Sequence, residues 1–154
     1  MTATVKKSRR PMSAATEDRP LSRMLAGEYR AISYRPELVE IAGSVTSAIL
    51  LQQITYWAAR SEWRAFFKFR APCAHDDYRP GDSWCEELKF SGNEFDSALK
   101  KIGTKITKGK SKATALDNSL LIYWTDSSRK TWFLLNWRSL EERLGEVYSE
   151  AAGE

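Results

Sequence analysis

Apolar residues recur at helical spacing over Val45–Ala59. Leu50, Ile54 and Trp57 form an i, i+4, i+7 stripe, and Val45, Ala48 and Ile49 widen it into a broad apolar face. This pattern predicts a central core helix capped by Ser44. Ile32 and Tyr34 alternate with polar residues within Arg30–Arg35, the signal of a short strand that Pro36 ends. Trp63, Phe66, Phe67 and Phe69 mark a second short strand over Trp63–Phe69, and Pro72, Asp76, Asp77, Pro80 and Gly81 mark the loop after it.

Two short helices are then expected in succession. Ser83–Glu86 reads as a capping box opening a helix that runs to about Lys89, with Asp82 as an alternative cap. Ser91–Glu94 is a second box, followed by the stripe Phe95, Leu99, Ile102 and by Gly103 as a stop. Two helices joined by a tight turn, with Phe90 packed between them, make a helix-turn-helix. Lys105–Asn118 lacks periodicity and reads as a loop, with room for a short strand at Thr104–Thr107. Leu120–Trp124 and Thr131–Leu135 are β-rich runs joined by the polar segment Thr125–Lys130, which suits a hairpin. Ser139–Glu142 is a third capping box, and Leu140, Leu144, Val147 and Tyr148 give its helix an apolar stripe. A hairpin directly after a helix-turn-helix is a wing. The predicted class is therefore α+β, a winged helix-turn-helix with a helical core and a small antiparallel hairpin. It forms one domain over residues 21–150, with a C-terminal helix at 139–148.

Composition supports a folded chain. Of 154 residues 42% are hydrophobic, with six Trp, six Tyr and six Phe, which is too apolar for a disordered protein. Residues 1–20 differ: Lys6, Lys7, Arg9 and Arg10 crowd together between small residues and prolines, so a disordered basic tail is expected there. It would serve as a phosphate-gripping arm or as a solubilising terminus.

The net charge of +4 matters through its distribution. Lys100, Lys101, Lys105, Lys108, Lys110 and Lys112 fall within thirteen residues, and no acid lies between Asp96 and Asp117. With Arg129 and Lys130 at the wing, these positions are expected to converge on one side, where lysines facing phosphates would bind duplex DNA in a salt-dependent way. Sequence would be read by the outward face of Ser91–Ile102, with Asn93 toward adenine, Lys100 or Lys101 toward guanine, and Ser97 beside them. Glu94 is accounted for by its capping box, and Asp96 by a pair with Lys100 at i, i+4.

Other chemistry finds less support. His75 is the single histidine, so no Ser/His/Asp or Cys/His constellation forms, no glycine-rich phosphate loop appears, and no enzyme is expected. Cys73 and Cys85 are expected as reduced thiols. With His75 and Asp76 or Asp77 they would make a zinc site of unfamiliar spacing, so neither metal nor cofactor is expected. Asp76, Asp77, Asp82, Glu86 and Glu87 read as solvated carboxylates without the ligand alternation of a calcium loop. No apolar run follows the basic N-terminal residues and none is long enough to span a bilayer. A cytoplasmic chain without a membrane role is the expectation.

The run Gly43–Trp57, the aromatic strand after it, Trp84-Cys-Glu-Glu-Leu88, Phe90-Ser91 and Thr131-Trp-Phe-Leu-Leu-Asn-Trp137 resemble winged-helix domains of phage, plasmid and integrative-element proteins, over roughly residues 30–140. Some of those proteins are replication initiators or replisome organisers. The resemblance implies Ser91–Ile102 as recognition helix, Thr125–Lys130 as wing, and DNA binding in replication or transcription control. The chain departs from the pattern in its shortness and in the lysine-rich insertion Lys105–Lys112. The alternative is a protein-interaction winged helix, for example a phage-encoded inhibitor of a host nucleic-acid-guided defence complex. The C-terminal helix is either a homodimer surface or a helix whose stripe covers the same core.

Overall fold

Helix Val45–Arg60 (α2) is buried almost all round: Ala48, Leu50, Leu51, Ile54 and Ala58 lie in the core, with Ser47 and Gln53 beside them. Ser44 caps it by accepting from the Ser47 amide at 3.1 Å. The short helix Val39–Ala42 (α1), which continues a 3-10 turn at Pro36–Leu38, meets it at Gly43. That glycine has φ +95°, a left-handed value that favours a residue without Cβ, and the chain bends by 98° there. The expected stripe holds except at Val45, which is exposed on the first turn.

The computed structural model describes residues 20–23, 25 and 31–153. The chain divides into Met1–Ala31 and Ile32–Glu154. In the first unit a helical turn, Pro20–Arg23, is described, and the basic tail expected over residues 1–20 lies almost wholly outside the described residues. The remaining elements belong to the second unit.

Strand β1 is only Phe66–Phe67, shorter than the expected Trp63–Phe69. Glu62 and Trp63 take left-handed φ values of 57° and 62° in the turn after α2, so the chain becomes extended only beyond them. Of the strand expected over Arg30–Arg35, residues 31–35 are described and form no strand. Helix α3 (Trp84–Leu88) and helix α4 (Gly92–Ile102) follow as expected, separated by Lys89, Phe90 and Ser91, with Lys89 at φ +58°.

The short strand expected at Thr104–Thr107 forms one residue earlier and shorter, as β2 (Gly103–Lys105), and the segment expected as a loop, Lys105–Asn118, contains helix α5 (Lys112–Asp117) at its end. Ser111 caps α5, accepting from the Thr114 amide at 3.3 Å. Six residues are too few to show an apolar period, which is why the pattern missed it. Strands β3 (Leu121–Thr125) and β4 (Thr131–Leu135) form the expected hairpin. The sheet order is β1-β4-β3-β2, antiparallel except for the parallel β2–β3 pair.

Register places Phe66, Phe133 and Tyr123 side by side on the inner face, stacked at 5.8 Å and 6.0 Å. Gly103 faces this row: a Cβ there would sit 3.1 Å from Leu121 and Tyr123, so glycine permits the close approach. Trp84, fully buried, joins α3 to the rest by stacking on Phe95 of α4 and meeting Phe133 edge-on at 5.6 Å.

Helix α6 spans Trp137–Gly153 and begins earlier than the third capping box implied. Asn136 is the residue that caps it: its Oδ1 accepts from the Ser139 amide while its Nδ2 donates to the carbonyls of Leu116 and Ser119. Leu140 and Leu144 join the core of the same unit, and the Tyr148 hydroxyl donates to Glu37 at 2.9 Å.

Candidate nucleic-acid interface

Helix α4 owes its start to a complete capping box. Ser91 Oγ accepts from the Glu94 amide at 3.1 Å, and Glu94 Oε1 accepts from the Ser91 amide at 2.8 Å. Phe95, Ala98, Leu99 and Ile102 turn inward, and the Ser47 hydroxyl of α2 donates to the Ala98 carbonyl at 3.0 Å. Asn93, Ser97 and Lys100 are thereby left exposed at i, i+4, i+7, as expected. The box at Ser83 closes differently. Ser83 accepts from the Glu86 amide, but Glu86 Oε2 accepts from the Gly81 amide instead of the cap's own N–H.

Asp96 does not pair with Lys100. Arg70, from the segment after β1, donates to both its oxygens at 2.8 Å and 3.0 Å. These bonds hold the Asp96 carboxyl below the usual carboxylate range. The guanidinium lies over Gly92, occupying the space a Cβ would need. Sequence reasoning missed Arg70 because 26 residues separate the partners.

The hairpin tip is organised by Asp126. Its Oδ1 accepts from the amides of Ser128 and Lys130 and from the Ser128 hydroxyl, and its Oδ2 accepts from the Trp132 indole at 2.8 Å. The Trp132 bond above all, then the backbone amides, push the Asp126 carboxyl far below the ordinary carboxylate range. The sign follows: a lowered folded value stabilises the tip fully above the unfolded pKa of about 4, and the effect is lost as pH falls through the lowered value. Asp126→Ala is expected to free the Trp132 indole and speed hydrogen exchange at Ser128 and Lys130, leaving α4 amides protected. Amide exchange read by NMR checks this. His75 pins the preceding loop to the same tip: Nδ1 accepts from the Asp77 amide at 3.0 Å, so Nε2 carries the proton and donates to the Ser128 carbonyl at 2.7 Å.

The basic residues do not all converge as expected. Lys100 and Lys105 border one cavity with Arg70, beside the inner face of the sheet. Arg129 borders a neighbouring hollow that Arg70 also lines. Lys101 runs toward Gly43, with its Cδ in van der Waals range of the position a Cβ would take. Lys112 sits 4.8 Å over the Trp124 ring, on the opposite face of the sheet. Lys130 pairs with Asp77 at 2.9 Å and lies over Phe67, which lowers the Asp77 carboxyl pKa. The alternation of strand side chains divides the cluster, since Tyr123 and Trp124 must face opposite ways. Lys108 and Lys110 are exposed in the turn around Gly109.

Glu87 is not a solvated carboxylate. It is 9% exposed, pairs with Lys68 at 3.0 Å, and accepts from Gln53 at 2.6 Å and the Trp57 indole at 2.9 Å. Cys73 and Cys85 are free thiols, and burial raises that of Cys85. Among the described residues no group of three or more His, Cys, Asp or Glu is placed to hold a metal ion, and no single helix is long and apolar enough to cross a membrane. No family model, curated protein or solved structure matches this chain.

Proposed function

We propose that the chain is a winged-helix DNA-binding protein of a mobile element, acting in replication or transcription control. Helix α4 enters the major groove and the β3–β4 hairpin serves as wing. The observation that carries this reading is the exposed row Asn93, Ser97 and Lys100 on a helix whose opposite face is core, with the acid Asp96 paired to Arg70 and Glu94 engaged in the capping box. The three-residue turn between α3 and α4 and the β1-β4-β3 order with its hairpin agree with a winged helix-turn-helix. Phosphate contacts would come from Lys100, Lys105, Lys108, Lys110 and Arg129, with Lys112 and Lys130 held on the other side of the sheet.

Fluorescence anisotropy with a random duplex across a salt series tests the reading. About four or five phosphate contacts give a slope of roughly −4 in log K against log salt. Lys100→Glu is expected to weaken binding about tenfold and to make the slope shallower by about one. A slope near zero, or unchanged binding by that variant, removes α4 from the interface.

A second reading, a protein-binding module, draws on a different surface. Trp63 and Trp137 are each 44% exposed and border one groove with Leu116 and Leu134, remote in sequence from α4. Nuclease-resistant association with a host complex that is lost on Trp63→Ala with Trp137→Ala would favour it.

A further inference from the structure

Between α4 and the inner face of the sheet lies a cavity of about 400 Å³, within the size range of small-molecule sites. Its floor is apolar: Phe95, Leu99 and Phe133 are all buried. One wall is the Tyr123 ring, lying within 24° of parallel to Phe133. The rim is polar, with Thr125 and Thr131, whose hydroxyls are 3.0 Å apart, and with the lysines of α4 and β2.

The charges around this cavity are unevenly satisfied. Lys68 is committed to Glu87 and Asp82, and Arg70 to Asp96. Lys100 and Lys105 have no acidic partner among the described residues. Asp96, the carboxylate on the rim, is already held by Arg70. Tyr123 is kept in its neutral form by burial, so its hydroxyl adds a donor and no opposing charge.

We propose that this cavity binds a small organic anion, with a planar apolar body against Phe133 and Tyr123 and its acidic head between Lys100 and Lys105. A bare inorganic ion would leave the apolar floor wet, and a neutral ring would leave both lysines without a counter-charge. The site stands on the cavity and its cations, whether or not α4 contacts DNA.

Two dyes of nearly identical shape separate the terms. 1-Anilinonaphthalene-8-sulfonate carries an acidic head; N-phenyl-1-naphthylamine has the same rings without it. In fluorescence titrations of the full chain the sulfonate is expected to fill one site, and to bind at least tenfold more weakly when Lys100→Ala and Lys105→Ala are combined. That is the size of one charge-assisted hydrogen bond. The neutral dye should bind more weakly and change less than about twofold in that variant. Thr125→Trp, which places an indole at the rim, should abolish one-site binding of the sulfonate while circular dichroism stays native. Equal binding of the sulfonate with and without the two lysines overturns the proposal, as does sulfonate binding that survives Thr125→Trp in a folded protein. If Thr125→Trp fails to fold, the exposed lysine pair decides alone.

Discussion

Glu87→Ala is expected to destabilise the fold by about 3–5 kcal/mol, read as a lowered midpoint in urea denaturation with an unchanged slope. Glu87 stands where α2, β1 and α3 meet. Its two oxygens take the Lys68 ammonium, the Gln53 amide and the Trp57 indole. Removing the carboxylate leaves Lys68, 4% exposed, with only Asp82, itself 57% exposed, as counter-charge. The loss comes chiefly from that stranded cation, not from the net strength of the pair. Lys68→Met combined with Glu87→Ala should therefore be more stable than Glu87→Ala alone. If the double variant is no better, the buried ammonium is not the source of the effect.

Trp84→Ala carries a comparable expectation, a loss of about 3–5 kcal/mol. The indole is fully buried between Phe95, Phe66 and Phe133, so truncation opens a cavity at the junction of α3, α4 and the sheet. Trp84→Phe should cost far less. It keeps the stacked ring and removes the Nε1 donor, the buried side-chain polar atom without a hydrogen-bond partner among the described residues. Thermal unfolding followed by circular dichroism ranks the three proteins. A Phe variant as unstable as the Ala variant would show that ring size, not ring presence, supports this corner. If α4 enters the major groove as proposed, the Ala variant should also weaken duplex binding more than its folded fraction explains, because Trp84 of α3 stacks on Phe95 of α4.

Helices α2, α3 and α4, with their caps at Ser44, Ser83 and Ser91, were legible because each is written within a few consecutive residues. The hairpin was legible for the same reason: two β-rich runs flank a polar segment, and the turn is closed by Asp126 from within it. Apart from α5, too short to show a period, and β1, cut short by the turn at Glu62 and Trp63, misreadings fell where the deciding contact is distant. Asp96 chose Arg70 over the nearby Lys100 because a planar, two-bond partner was brought alongside from beyond β1. Residues 31–35 had strand-like alternation but take no part in the sheet. Asn136 displaced Ser139 as the cap of α6 because it could also satisfy the carbonyls of Leu116 and Ser119.

Local pattern alone was enough for the α+β class, the inward face of α4 and its outward row Asn93, Ser97 and Lys100, since helical periodicity and capping depend on neighbours within a turn. The fate of each charge was settled by tertiary packing. Burial decided that Glu87 and Lys68 form an internal pair, and strand alternation turned Trp124 and Phe67 to the face where Lys112 and Lys130 cover them, while Lys100 and Lys105 border the cavity on the other. A charge's partner depends on which surfaces meet through space, and a run of lysines in sequence carries no information about that meeting.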